Sequence, residues 1–223
     1  IRVVEIAGGR LELREGSFLV AEDLSFSYPE KARGMSVLLR GKKVEALRGV
    51  NLGFDSGILL IVGANGSGKS TLCFALSGIL KPDRGFVEIG GRRMGEEERM
   101  RVTSLLVGDR PYFIPNVRVE TLLRYLSSLN GPRVGDLVEA FGLRKFYGRY
   151  LYTLSRGELA RVTYAIWLSK EAEVYIGDEV GMGVDREGVE ELVEVMRSIP
   201  STFVLTSPDR SSPLLGVLSS IEH

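Results

Sequence analysis

Residues 58–71, ILLIVGANGSGKST, constrain the fold of this 223-residue chain more than any other stretch. A short unbroken apolar run leads into a glycine-rich turn, and then into a segment with Leu72, Leu76 and Ile79 at i, i+4 and i+7. That order predicts strand, loop and amphipathic helix. The turn GANGSGKST (63–71) satisfies G-x-x-x-x-G-K-[ST] through Gly63, Gly68, Lys69 and Ser70. The pattern has a mechanism: glycines let backbone N–H groups curl around phosphate oxygens, because no Cβ obstructs the approach or the unusual dihedrals. Lys69 then reaches the outer phosphates, Ser70 offers a hydroxyl to Mg²⁺, and the helix points its positive end at the anion. Gly63, Asn65, Gly66, Ser67, Gly68, Lys69, Ser70 and Thr71 are the candidate phosphate-binding residues.

Three further runs, SLLVG (104–108), VYIG (174–177) and FVLT (203–206), share the short, β-branched character of ILLIV. Runs of this kind are buried on both faces, as in a parallel sheet. Helical periodicity alternates with them, again in ELVEVMRSI near residue 192, so the core reads as α/β. Residues 116–170 carry helical periodicity without a strand-like run, which predicts a helical insert between two sheet strands. In the first third, RVVEI, FLVAEDLSFSY and later GFVEIGG, with Gly and acidic punctuation, suit an antiparallel sheet. The polar PEKARGMSVLLRGKK between them reads as an exposed loop with a solvated basic face.

Composition narrows the partners. The 29 basic and 29 acidic residues cancel, so no nucleic-acid surface is expected. A single cysteine, Cys73, excludes an internal disulfide and reads as a small buried apolar residue. No apolar stretch approaches the ~18 residues a membrane span needs, and IRVVEIAGGR lacks the build of a signal peptide, so the chain is not expected to cross a membrane.

Two adjacent carboxylates, Asp178 and Glu179, end the run VYIG. A phosphate loop of this type needs a carboxylate at the end of a neighbouring parallel strand for the Mg²⁺ shell, which suits Asp178. Glu179, one residue on, can orient or deprotonate a water over the γ-phosphate. The other reading is a polar strand-to-loop turn.

With these motifs the chain resembles, over nearly its whole length, the nucleotide-binding subunit of an ATP-binding cassette (ABC) transporter. LSRGELARV (154–162) is similar to the family's LSGGQ signature and its following helix, and stands before the Asp178–Glu179 strand as in the family. The resemblance implies that two cassettes close head to tail, with Ser155 and Gly157 of one on the γ-phosphate held by the other, and Glu158 beside them. By its residues alone, LSRGE is a helix start with Ser155 as N-cap and Glu158 as its capping-box partner. Tyr28, in LSFSYP, matches the aromatic that stacks on adenine in the family; a strand tyrosine alone reads as sheet packing. Asp185, in MGVD, resembles the D-loop aspartate that contacts the other subunit. RGVNLGFDSG and SGILKPDRGFVEIGG, on either side of the phosphate loop, also resemble family sequence.

Departures from the family pattern bear on rate. Asp109 stands where the family has a glutamine, and either binds Mg²⁺ more directly than an amide or repels the γ-phosphate. Pro208, or Ser207 if the alignment shifts by one, stands where the family has a histidine; proline has no side-chain donor. The only histidine, His223, is at the C-terminal end. Losing one donor to a developing charge costs on the order of a hundredfold in rate, so slow turnover is expected. Arg156 replaces a glycine, and either adds charge to the opposite site's phosphate or hinders closure by its bulk.

The resemblance implies an α/β fold: a P-loop NTPase core with a mainly parallel sheet, an N-terminal antiparallel β subdomain and a helical subdomain at about 110–170, in one ABC ATPase domain spanning 1–223. It implies ATP and Mg²⁺ as cofactors, with Ser70, Asp178 and Asp109 toward the metal and Glu179 and Lys69 catalytic. The expected partners are a second cassette, identical or related, and an integral membrane permease driven by ATP hydrolysis. The expected place is the cytoplasm, peripheral at the inner face of the cell membrane. The alternative is a soluble or regulatory ABC-type ATPase that binds ATP with weak or no turnover.

Overall fold

The computed structural model describes residues 1–29, 43–108, 116–209 and 211–221. The basic stretch 30–42, Asp109 and His223 lie outside the described residues. The strands are β1 (Arg2–Glu5), β2 (Glu12–Arg14), β3 (Leu19–Pro29), β4 (Lys43–Phe54), β5 (Gly57–Val62), β6 (Arg84–Ile89), β7 (Arg92–Arg93), β8 (Thr103–Val107), β9 (Val174–Asp178) and β10 (Thr202–Ser207). The α-helices are α1 (Lys69–Ser77), α2 (Glu96–Val102), α3 (Val119–Asn130), α4 (Arg133–Ala140), α5 (Arg156–Ser169), α6 (Arg186–Ser198) and α7 (Pro213–Ile221).

Five strands form one all-parallel sheet in the order β1-β5-β10-β9-β8. The four unbroken apolar runs of the sequence are its inner and far strands, β5, β8, β9 and β10. Both faces are covered, as those runs require. Ile58, Leu60, Val62, Tyr175, Phe203 and Leu205 face the core beneath the helices that follow β8, while Leu59, Ile61, Val174, Ile176 and Val204 face α1 and the second sheet. Strict alternation along β5 therefore divides two hydrophobic cores. α3, α4 and α5 come between β8 and β9, adjacent strands of the sheet, which agrees with the helical insert expected from periodicity.

The second sheet runs β2-β4-β3-β6-β7, with β3 antiparallel to both β4 and β6. FLVAEDLSFSY and GFVEIGG thus pair antiparallel, as expected, but the sheet as a whole is mixed, because β2 pairs in parallel with β4. RVVEI does not join it: β1 pairs in parallel with β5, Arg2 opposite Leu59 through Glu5 opposite Val62, and forms the edge of the central sheet. Main-chain hydrogen bonding to the strand before the phosphate loop sets its place, a long-range choice that four residues cannot announce. Ile79 is a second correction. α1 stops at Gly78, which takes φ +87° at the C-cap, and leaves Ile79 outside the helix and 55% exposed.

Between β1 and β2 the chain turns at Gly8 and Gly9, both with positive φ, directly under the phosphate loop. Gly9 N–H donates to the Ser67 carbonyl at 2.9 Å, and Arg48 N–H donates to the Gly9 carbonyl at 2.8 Å. A Cβ on Gly9 would collide with the Ala46 carbonyl, whereas one on Gly8 would meet nothing. Gly8→Ala is expected to cost about 1 kcal/mol for its left-handed backbone alone. Gly9→Ala should cost clearly more, about 2–3 kcal/mol, because strain and collision add. Urea unfolding of the two variants measures the difference, and equal losses would contradict this packing.

Candidate functional site

The parallel register brings the carboxyl ends of β5, β10 and β9 side by side. Thr206 lies opposite Ile61 and Ser207 opposite Val62, while β9 ends at Asp178. Gly63 N–H donates to the Ser207 carbonyl at 3.2 Å, which joins the start of the phosphate loop to the end of β10. Inside the loop Gly66 and Gly68 take φ +81° and +103°. A Cβ on Gly68 would stand 2.5 Å from the Ala46 carbonyl oxygen, so the position admits only glycine on two counts.

Three features mark the loop as an anion cradle. α1 has no capping side chain and no acidic residue in its first turn, which leaves its first N–H groups for an external acceptor. The Lys69 ammonium, 4% exposed, folds back on the loop itself and donates to the Gly63 carbonyl at 2.6 Å and the Ala64 carbonyl at 3.1 Å. Ser67 Oγ is buried and, among the described residues, has no hydrogen-bond partner. A buried hydroxyl left so is costly, and a phosphate oxygen would relieve it.

A cleft of about 450 Å³ opens over this loop. It brings together predicted residues from distant parts of the chain: Asn65, Gly66, Gly68, Lys69, Ser70 and Thr71 from the loop, Tyr28 from β3 and Glu179 from beyond β9. Tyr28 hydroxyl and Thr71 Oγ1 lie 3.4 Å apart, and the Tyr28 ring packs edge-on against Phe26 with centroids at 4.8 Å. Val44, Glu45 and Ala46 line the same wall and were not legible as site residues, because β4 has no motif. Asp178 is 5% exposed, and its Oδ1 accepts a hydrogen bond from Thr206 Oγ1 at 2.7 Å. Glu179 takes a left-handed backbone at φ +55°, uncommon for a residue with a side chain, and its N–H donates to Thr206 Oγ1 at 2.9 Å. Sequence reasoning missed Thr206. A threonine in a buried strand is ordinary, and only its place at the end of FVLT beside the carboxylates hints at more.

The donors present fit the implied groups. Ser70 and Asp178 are hard oxygen ligands of the kind Mg²⁺ takes together with phosphate oxygens. Among the described residues no group of three or more His, Cys, Asp or Glu could hold a metal by itself. Cys73 is fully buried on α1; burial first, then the charge of Asp178, push its thiol well above the ordinary value, in keeping with an inert apolar filler.

Ser155, Gly157, Glu158 and Asp185 do not line this cleft. They gather at the N-termini of α5 and α6. Ser155 caps α5 by accepting from Glu158 N–H at 3.3 Å, and Glu158 accepts from Ser155 N–H at 2.7 Å and from Arg149 at 2.8 Å. The capping box is therefore present, and both oxygens of Glu158 are engaged. Asp185 caps α6 through Gly188 N–H at 2.8 Å, while Arg161 holds Glu191 at 2.6 Å and ties the two helices together. Arg156 donates to the Met182 carbonyl at 3.2 Å, its guanidinium lying flat over Gly183. β10 ends at Ser207, whose hydroxyl donates to the Asp209 carbonyl at 3.0 Å, with Pro208 half-buried beyond it.

A glycine-rich loop between strand and helix, with a carboxylate two strands away across a parallel sheet, defines a P-loop nucleotide-binding protein. The chain belongs to the ABC transporter family, whose model matches residues 47–181. It is 32% identical over 204 residues, 86% of this chain and 79% of the relative, to a protein of Gloeobacter violaceus that carries the name of an ABC transporter ATP-binding protein. It is also 32% identical over 205 residues to EcfA, the energy-coupling factor transporter ATP-binding protein of Methanothermobacter thermautotrophicus, covering 84% of this chain and 61% of EcfA. Among solved structures it is similar to CbiO1 of Clostridium perfringens, part of the ABC transporter complex CbiONQ. That match has a TM-score of 0.70 at 25% identity and covers 87% of this chain and 80% of CbiO1. The fold and the relatives agree on an ATP-binding subunit of the ABC class.

The Ser155 N–H, and then Arg149, hold the Glu158 carboxyl below its ordinary value. Because the folded form ionises more easily than the unfolded one, this cap is at full strength above the unfolded pKa and fades as pH falls below about 4. Glu158→Gln is expected to lower the melting temperature at neutral pH and to shrink its acid-side decline, measured by circular dichroism; parallel wild-type and variant curves would contradict the cap's ionic character.

Proposed function

We propose that this chain binds MgATP in the cleft over Gly63–Thr71 and hydrolyses it, at an interface with a second cassette, to drive a membrane permease. The observation that carries the reading is the convergence of Lys69, Ser70, Tyr28 and Glu179 on one cleft. On ATP binding, Lys69 exchanges the Gly63 and Ala64 carbonyls for the outer phosphates, and the free N–H groups of α1 and the loop take phosphate oxygens. Tyr28 supplies a half-exposed ring for the base. Ser70 and Asp178 would hold Mg²⁺, which when bound neutralises charge on the phosphate oxygens. Glu179 orients the attacking water and takes its proton.

Ser155, Gly157 and Asp185 sit outside the cleft of their own chain, which supports a role across a head-to-tail dimer. Arg156, beside them, would reach such an interface only by leaving the Met182 carbonyl. EcfA and CbiO1 carry names that place them in transporters, which supports a permease partner here. Exposed apolar side chains offer surface for it: Tyr125 and Leu129, one turn apart on α3, and Ile79 and Met100, which flank a cleft of about 240 Å³. Among the described residues no helix is long and apolar enough to cross a membrane, so the membrane link would run through that partner.

A second reading, ATP binding with little turnover, draws on one feature. The end of β10 offers Pro208 and a Ser207 hydroxyl already turned to Asp209, where the family supplies an imidazole donor.

Steady-state hydrolysis of ATP with Mg²⁺ separates the readings. Turnover that falls about a hundredfold or more in Glu179→Gln, with ATP affinity kept, is expected for a working base. Lys69→Ala should lose nucleotide binding itself. Undiminished turnover in Glu179→Gln would overturn the mechanism, and tight binding without turnover in the wild type would favour the regulatory reading. Mixed with MgATP, the Glu179→Gln chain is expected to shift from monomer to dimer in light scattering; a monomer at saturating nucleotide would contradict the dimeric site.

A further inference from the structure

Among the described residues, the Thr206 side chain hydrogen-bonds both members of the carboxylate pair. Its hydroxyl donates to Asp178 Oδ1 at 2.7 Å and accepts from Glu179 N–H at 2.9 Å, and the residue is fully buried. The polarity of both bonds is forced. A backbone N–H can only donate and a carboxylate can only accept, so the single hydroxyl hydrogen belongs to Asp178. The arrangement engages Oδ1 and leaves Oδ2 of Asp178 without a hydrogen bond among the described residues. It also anchors Glu179 at φ +55°, a backbone that persists only where the surroundings impose it.

The bond is not needed to pair the strands. β9 and β10 are already joined in a parallel ladder, Thr202 opposite Val174 through Leu205 opposite Gly177, and Thr206 lies just beyond it. On its other flank Thr206 pairs with Ile61 and Ser207 with Val62, so the backbone that carries the Thr206 side chain is fixed from the phosphate-loop side as well.

We propose that Thr206 is a positioning residue for the nucleotide site, acting through its hydroxyl to aim Asp178 Oδ2 at a divalent cation and to hold the Glu179 backbone over the cleft. The inference rests on the reading of Asp178 and Glu179 given above. It assigns Thr206 a task that neither carboxylate can perform for itself. Groups that orient a metal-binding carboxylate typically change metal affinity or activity by about ten- to a hundredfold when removed.

The test compares the full chain with Thr206→Val, which keeps the shape, and Thr206→Ser, which keeps the hydroxyl. ATP affinity is titrated by the fluorescence of Trp167, the only tryptophan, with Mg²⁺ and with EDTA, and turnover is measured beside it. The expected result has three parts. Thr206→Val loses roughly tenfold or more of the affinity gained with Mg²⁺. It binds ATP in EDTA as the wild type does, and Thr206→Ser recovers the gain. Thr206→Ala removes the same hydroxyl without an added methyl and serves if the valine variant does not fold. A wild type that responds to Mg²⁺ beside a valine or alanine variant that responds equally would overturn this inference alone. A wild type whose ATP affinity ignores Mg²⁺ would overturn the functional reading and the inference with it.

Discussion

Strand β10 is the member on which the site depends, because it is hydrogen-bonded in parallel on both flanks, to β5 and to β9. One strand separates the phosphate loop from the carboxylates, and its main chain fixes how far apart they stand. The Ser207 carbonyl receives Gly63 N–H on one side, and the Thr206 hydroxyl engages Asp178 and Glu179 on the other. Parallel pairing puts all three carboxyl ends on the same sheet edge, where an α/β sheet binds its ligands. The covalent distance from Lys69 to Glu179 is long; the physical distance is set by two ladders.

The phosphate loop is held in an unrelaxed state by its own residues. Gly68 takes φ +103° under the Ala46 carbonyl, Gly9 braces the Ser67 carbonyl from below, and Lys69 is satisfied by the loop's carbonyls. An ammonium that already has partners is not waiting in solvent. Nucleotide must offer a better set of oxygens, which charged phosphates do.

Much of this was legible in the sequence. The phosphate loop reads directly, because its glycines and lysine answer to a geometry that few other folds require. The four unbroken apolar runs gave the parallel sheet, since only burial on both faces permits them. The place of β1 was not legible: RVVE is short, half-exposed and compatible with either sheet, and its pairing depends on β5, more than fifty residues on. Ile79 fits a helical period by spacing, yet Gly78 ends the helix first. Within the site, Lys69, Ser70 and Glu179 were found by residue type and context, and Tyr28 only through the family resemblance, since a strand tyrosine alone reads as sheet packing. Val44 to Ala46 and Thr206 were not, because their contribution is position and not chemistry. Ser155 and Glu158 illustrate the reverse: the capping box is plain in LSRGE, because a local motif depends on neighbours four residues apart or fewer.

The central claim, that the P-loop, Lys69 and the Asp178–Glu179 pair serve one nucleotide, is tested most directly by a crystal structure of the Glu179→Gln chain with ATP and Mg²⁺. The account predicts Lys69 Nζ off the Gly63 and Ala64 carbonyls and on an outer phosphate oxygen, with Asp178 still held by Thr206 and facing the metal. A nucleotide bound elsewhere, or bound here with Lys69 still on its own loop, would contradict it.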